Sequence, residues 1–422
     1  MKKPSVLYIT SRMSSPPLSG GQLREYNMIK RLSRDFSIHL WVCTRFLEVD
    51  ATGVAEMGRY CDSVRLYEAD PPADRPEPIP QRMWQQRSHR MRQDVAEMLD
   101  SGAVDLVHVE GYYMMQYLPV PDPPAGSDAR GAPLPAVMLV EENIEYLIDR
   151  QWDALAGGLD TWRATERLER EQWHRADLCG VVSQDDYDHM REVAPDIRPV
   201  YVPHGCDHLD LLSPEADRRT AAPPGEELSV VFVGDYTYPP THDAAVHLLT
   251  EIWPRVADRY SAARLSFVGR GPSDEIRRLA AGRTRVDVTG FVDSIRDTLD
   301  AADLFVCPLR VGGGVKLKML EAVTRGVPVV TSPVGAQGFP GGITAQMAVH
   351  DEPEAFAGAV VALLEDATSR DRRSRAQRAA AAELTTWEET ARDLGDAWRS
   401  LAGRPSRLIP ADRPPQTQGS GI

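Results

Sequence analysis

The feature that most limits the fold is an alternation. Short apolar runs, each followed by a longer stretch with helical spacing, recur almost from end to end. SVLYIT (5–10), SIHLWVC (37–43), VDLVHVE (104–110), PAVMLVEE (135–142), ADLCGVVS (176–183) and RPVYVPHG (198–205) read as strands. QLREYNMIKRLSRD (22–35) reads as a helix entered through the glycine-bearing loop SSPPLSGG (14–21). Strands separated by helices mean βαβ units and a mostly parallel sheet covered on both faces. Near residue 210 the pattern stops, because SPEADRRTAAPPGEE (213–227) is polar, proline-bearing and aperiodic. It resumes with LSVVFVGD (228–235), ARLSFVGRG (263–271), RVDVTGFV (285–292), ADLFVCPL (302–309) and VPVVTSP (327–333).

The expectation is an α/β protein of two similar halves, 1–210 and 228–384, joined by a linker at 211–227. At 422 residues the chain is long for one domain and suits two. No sequence repeat relates the halves. Helices dominate after 350, and TTWEETARDLGDAWRSLAG (385–403) reads as the last of them. The proline-rich tail 403–422 is expected to be disordered, and PVPDPPAGSDARGAPLP (119–135) to be a flexible surface loop.

Charge and cysteines narrow the function. A net charge of −14 argues against nucleic acid or an anionic membrane as the main partner. Cys43, Cys61, Cys179, Cys206 and Cys307 are scattered, odd in number and never paired as C-x-x-C, which fits a reducing compartment. The apolar run in MKKPSVLYITSRM is too short for a signal peptide, and no stretch approaches the ~20 apolar residues of a membrane helix. A cytoplasmic protein with no integral membrane segment is therefore expected.

In open α/β sheets ligands bind beyond the carboxyl ends of the strands. Four loops at such ends carry glycine: Gly20-Gly21, Gly234, Gly269-Arg270-Gly271 and Gly312-Gly313-Gly314. Glycine lets backbone N–H groups approach an anion, and a following helix N-terminus favours it further. In GGGVKLKMLEA (312–322) the three glycines would form such a cradle, with Lys316 in the first helical turn to hold a phosphate. Glu321 would accept the hydrogen bonds of a ribose diol, which together describes a nucleotide site. The competing reading is a buried helix with Lys318 and Glu321 as a surface pair.

The segment PLRVGGGVKLKMLEAVTRGVPVVTSPVGAQGF (308–339) resembles the donor-site signature of retaining glycosyltransferases with the GT-B fold, family 4. LSGGQLREYNMIKRLS, VDLVHVEG, VVSQDDYD, VPHGCD, VFVGDYTYPPTHDAA, VTGFVDS and the Trp387 start of the last helix extend the resemblance over about residues 5–402. It implies two Rossmann-like domains facing across a cleft. The C-terminal one would hold a nucleotide-sugar, with UDP or GDP as the favoured nucleotide, and the N-terminal one an acceptor. The sugar would be transferred with retention, without a metal or a cofactor. Glu321 then corresponds to the ribose-binding glutamate, and Phe291 and Val292 to residues whose backbone meets the base. Gly20 and Gly21 correspond to a loop closing over the donor phosphate. The helix 385–402 would cross back to the N-terminal domain.

His108 corresponds to a histidine near the transferred sugar, or else is satisfied at a strand edge. Glu110, two residues on, shares its sheet face. Glu110 and Glu142 are acceptor-side candidates, Glu142 beside Glu141 at a strand end. Two departures stand out. The acid usual eight positions before the ribose glutamate is replaced by Gly313, and VGDYTYPPTHD lacks the usual arginine and lysine. Lys316, then Arg270, remain to hold the diphosphate, and Lys316 and His108 are the catalytic candidates. DDYD (185–188) opens a helix, where acids are favoured anyway. QRMWQQRSHRMR (81–92) reads as a solvated helix face or as a site for an anionic or aromatic acceptor. The acceptor is expected to be small and soluble, a specialised metabolite or polysaccharide precursor. Two other readings stay open. One is a nucleotide-sugar epimerase or hydrolase using His108 and Glu110 as its acid–base pair. The other is a non-catalytic nucleotide-sugar-binding protein.

Overall fold

The strands inside each sheet are buried along most of their length, and the edge strands are short or only partly buried. The computed structural model describes residues 2–76, 78–119, 134–158, 160–206, 227–292 and 294–406. The expected linker up to residue 226, most of the 119–135 segment and the tail beyond 406 lie outside the described residues. The chain divides into two compact units. The first runs to Pro203 and takes up the chain again from Glu388, and the second is His204–Trp387.

The first unit holds β1 (Ser5–Thr10), β2 (Ser37–Thr44), β3 (Ser63–Glu68), β4 (Leu106–Glu110), β5 (Ala136–Glu141), β6 (Leu178–Val181) and β7 (Pro199–Tyr201). Their order in the sheet is β3-β2-β1-β4-β5-β6-β7. The second holds β8 (Leu228–Val233), β9 (Ala263–Val268), β10 (Val286–Gly290), β11 (Leu304–Cys307), β12 (Val329–Thr331) and β13 (Ala348–Val349), in the order β10-β9-β8-β11-β12-β13. The pairings are parallel, as βαβ crossovers require. The fold class is therefore α/β, with two parallel sheets and interleaved helices.

Sequence reading missed β3 and β13. In β3, SVRLYE, Arg65 and Glu68 are exposed, and an edge strand needs no continuous apolar run. β13 has two residues, too short to register.

One device recurs in both units although the halves share no evident repeat. Asp105, Asp177 and Asp303 stand one residue before β4, β6 and β11. Each carboxylate accepts the backbone N–H of a residue at the start of the neighbouring strand: Ser5 at 2.8 Å, Val137 at 2.8 Å and Ser229 at 2.9 Å. The Asp-Leu dipeptide thus fixes register where each sheet begins.

In both sheets the order reverses beside the first strand. β1 lies between β2 and β4, and β8 between β9 and β11. Helices leave such a point to opposite sides and open a crevice beyond the strand ends.

The helix Trp387–Leu401 returns to the first unit. Ala391, Leu394, Ala397, Trp398 and Leu401 form its buried stripe, with the three- and four-residue spacing of one helical face. Leu32 and Phe36 lie against Gly395, where a side chain would crowd them. Charged contacts edge the seam: Arg31 and Arg34 to Glu388 at 3.3 and 2.8 Å, and Arg399 to Asp35 at 2.7 Å.

Candidate functional site

The reversal point of the first sheet is furnished with buried charge. β1 supplies Tyr8 and β4 supplies His108 and Glu110, two residues apart and so on one face. The helix Gly20–Leu32 supplies Arg24 and Glu25, and Glu142 follows β5. Glu110 Oε1 accepts hydrogen bonds from Tyr8 Oη at 2.5 Å, His108 Nε2 at 2.9 Å and Arg24 Nη1 at 3.1 Å. Trp398 Nε1 donates to His108 Nδ1 at 3.0 Å. Glu25 accepts from Thr10 and Ser14 at 2.9 and 3.1 Å. Arg24 Nε and Nη2, Glu110 Oε2 and Glu142 Oε1 are buried atoms without a protein partner. Gly21 touches the Glu142 carboxyl so closely that no Cβ fits there.

Burial and crowding set the ionisation. Burial pushes the Glu25 carboxyl well up, and the nearby Glu110 and Glu142 charges add to it. Burial raises Glu142 too, to about 7, with the Glu110 charge contributing. Burial would also raise Glu110, but the Arg24 charge and the His108 hydrogen bond outweigh it and hold it below its usual range. Burial lowers His108, so the imidazole is neutral.

These facts revise the expected roles. His108 is not at a strand edge, since β4 lies inside the sheet. Its ring is 0% exposed and both nitrogens are engaged. Glu110 is also buried, so the acid–base pair that an epimerase or hydrolase would use is sealed beneath the surface. Glu141 is committed to Tyr112 N and Trp173 Nε1, both at 3.2 Å. Of the acids expected on the acceptor side, Glu142 alone is partly exposed.

The reversal point of the second sheet is built from backbone. After β8, Gly234 N donates to Val268 O at 3.0 Å, and Gly269 (φ 139°) lies so close to Gly234 O that a side chain is excluded. After β11, Gly312, Gly313 and Gly314 form a loop, of which Gly314 has φ 57°. The glycines do not open the helix directly. It runs Leu317–Thr324, and Lys316 is its N-cap residue, with no side chain capping the N–H groups. So Lys316 stands at the helix threshold instead of inside the first turn. Its Nζ donates to Gly314 O at 3.0 Å.

Glu321 is half-exposed on the outer side of that helix and pairs with Lys318 at 3.1 Å, the surface-pair arrangement. Arg270 is ion-paired with Asp235. Burial would raise the Asp235 carboxyl, but hydrogen bonds from Arg270 and Thr237 hold it below its usual range. Phe291 is 65% exposed beyond β10, and Val292 packs partly on the core.

Sequence reading missed Arg24, Tyr8 and Trp398, and also Arg310, which grips Asp243 through two nitrogens beyond β11. The 81–92 segment is more than a solvated face. With Asp70, Ile79 and Gln116 it walls a pocket of about 340 Å³ that includes Met83, Trp84 and Arg92. The Arg87 guanidinium stacks 3.7 Å over the Trp84 ring there. Among the described residues no group of three or more His, Cys, Asp or Glu side chains is placed to hold a metal. No described helix is long and apolar enough to cross a membrane.

Residues 227–366 match the family model of the glycosyl transferases group 1. A phosphatidyl-myo-inositol mannosyltransferase of Mycobacterium tuberculosis is 27% identical over 222 residues, covering 50% of this chain and 56% of that protein. Its counterpart from Mycolicibacterium smegmatis is 29% identical over 150 residues, 34% of this chain and 38% of that one. The chain thus spans about half the length of the curated relatives it matches. Among solved structures, a sucrose-phosphate synthase from Thermosynechococcus elongatus aligns with TM-score 0.67 at 18% identity, covering 94% of this chain and 99% of that one. The Anabaena HepE protein in complex with UDP and glucose aligns with TM-score 0.62 at 15% identity, covering 94% and 100%. These likenesses concern the fold. The family model thus lies on the second unit, where residues 227–366 resemble the glycosyl transferases group 1, and the two-sheet fold that extends through the chain is the GT-B fold of these glycosyltransferase structures.

Proposed function

We propose that the protein is a retaining, metal-independent glycosyltransferase of the cytoplasm that moves a sugar from a UDP- or GDP-sugar to a small hydroxyl-bearing acceptor. The observation that carries this reading is the approach to the helix Leu317–Thr324. A helix start without a side-chain cap is preceded by three glycines and flanked by the Lys316 ammonium, within the stretch that matches the family model. Open N–H groups and a cation at a helix N-terminus suit a diphosphate. Lys316 would exchange its bond to Gly314 O for the leaving diphosphate, where charge grows as the glycosidic bond breaks. Glu321 would turn from Lys318 to the ribose hydroxyls. The acceptor hydroxyl adds to the anomeric carbon from the face that the diphosphate leaves, and the departing phosphate oxygen takes its proton.

On this reading the first unit holds the acceptor. Glu142, the partly exposed acid on this side, would meet the acceptor hydroxyl. A second reading, mannosyl transfer to an inositol-bearing acceptor, is favoured by the relatives just named.

Calorimetric titration with UDP, GDP and dTDP tests the donor site. One nucleotide should bind, and Glu321→Ala should weaken it about tenfold or more, the scale of ~1.4 kcal/mol. If none binds at millimolar concentration, the donor-site reading fails and a non-catalytic role replaces it. Turnover of the matching nucleotide-mannose with an inositol-bearing acceptor then tests the second reading.

A further inference from the structure

We infer that Trp398 is a positioning residue: its indole N–H holds His108 in the neutral form protonated at Nε2, leaving Arg24 as the cation that faces Glu110. An indole N–H can only donate a hydrogen bond. It meets His108 Nδ1 at 3.0 Å, so Nδ1 must present its lone pair. The single ring hydrogen then sits on Nε2 and is donated to Glu110 Oε1 at 2.9 Å.

An imidazole beside a carboxylate ordinarily gains a proton, because the opposite charge favours the cation. Here the second proton would sit on Nδ1, pointing at the indole hydrogen. The ring cannot easily turn away. It stacks on Tyr8 at 4.3 Å between centroids and meets Trp398 edge-on at 5.2 Å. Phe36 packs edge-on against Trp398 at 5.1 Å and keeps the indole in place.

The surroundings offer no other way to stabilise a charged His108. Its own strand presents Glu110, and β1 presents Tyr8, whose phenol burial keeps protonated. The helix Gly20–Leu32 presents Arg24, a fixed cation that opposes a second positive charge, and carries Glu25. The end of β5 presents Glu142, whose charge acts on Glu110 and Arg24. The last helix presents the Trp398 donor. With His108 neutral, the Glu110 carboxylate is left to Arg24 at 3.1 Å, and that bond ties the first turns of the helix begun by Gly20 and Gly21 to the sheet. Trp398 therefore acts through His108 and Glu110 on the rim where Gly21 meets Glu142.

The test uses the full-length protein labelled with ¹⁵N-histidine. Long-range ¹H–¹⁵N spectra, with His108 assigned through its contact to the Trp398 indole proton, should show the Nε2–H tautomer, unchanged between about pH 8 and pH 5. Trp398→Phe keeps an aromatic ring but removes the donor, and His108 should then gain its second proton at a higher pH than in the native protein. Phe36→Leu loosens the packing around the indole without removing the N–H, so the native tautomer should persist.

A native His108 protonated at Nδ1, or a titration identical in Trp398→Phe, would overturn the assignment. If Trp398→Phe does not fold, the native spectrum alone decides it. The activity arm rests on the transferase reading: the acid limb of kcat should move to higher pH in Trp398→Phe, with nucleotide affinity unaltered. An unmoved acid limb in an active variant would show that His108 charge does not matter to turnover, and would overturn the positioning role. A protein that transfers no sugar would defeat the functional reading while the spectra still judged the tautomer.

Discussion

The two sheets reverse their strand order in the same way, yet the residues at the two crevices differ in kind. In the first unit the crevice lies over side-chain charge: Arg24 and Glu110 sealed beneath it, the Glu25 carboxyl pushed well up by burial, and four polar atoms left without a protein partner. In the second, backbone does the lining. The acids nearby are neutralised one by one in rim pairs, Asp235 with Arg270, Asp243 with Arg310 and Glu321 with Lys318. A site whose ligand brings its own charge does well to present peptide N–H groups and keep its ions paired at the edge. A site that orients a neutral hydroxyl needs its field fixed beforehand, and buried side chains fix it. The same topology thus supports two different electrostatic designs.

The contrast breaks most visibly at Arg24. Arg24→Met should cost about 3–5 kcal/mol, because it leaves the Glu110 charge buried without its cation. Urea unfolding measures this, and a loss below about 1 kcal/mol would mean that buried charge does not hold the first crevice together.

A smaller, pH-dependent effect belongs to Glu142. Its carboxyl is raised to about 7 in the folded protein, so between the ordinary glutamate value and about 7 the folded state binds a proton that the unfolded state has released. Stability from this group therefore declines as pH rises through that window. Glu142→Gln removes the decline and should stabilise the protein by roughly 1–2 kcal/mol at pH 8, with little change at pH 4. Thermal unfolding at the two pH values compares them, and an equal effect at both would show that Glu142 does not titrate there.

The smallest effect should come from the second crevice. Lys318 and Glu321 are each 35% exposed, and Lys318→Ala should change stability by less than about 0.5 kcal/mol. On the donor-site reading nucleotide affinity should hold or rise, since Glu321 would be released to meet a ribose. A clear fall would make Lys318, and not Lys316, the diphosphate's cation.

Local sequence carried the central strands, because a buried parallel strand is largely apolar, and it carried the glycine loops, where Gly269 and Gly314 hold positive φ that side chains rarely adopt. It did not carry the edges β3 and β13, where burial is partial or the strand too short. The Glu321–Lys318 pair was readable as an i,i+3 spacing, but which competitor Glu321 would face is a matter of helix phase, and the helix began later than the glycines suggested. The charged cluster was legible only in part, through His108, Glu110 and Glu142 at their strand ends. Arg24 looks like any polar residue of an amphipathic helix, and Trp398 meets His108 across 290 positions. Such contacts belong to the tertiary fold and have no local period to betray them.

The return of the last helix to the first unit has a consequence for biosynthesis. His204–Trp387 is one uninterrupted stretch and has all its strands once Trp387 has left the ribosome. The unit translated first, by contrast, must wait with the faces of Tyr8, Phe36 and His108 uncovered until Trp398 emerges to close them. The earlier-made half is finished last, and during that interval its apolar seam is the part of the nascent chain most in need of a chaperone.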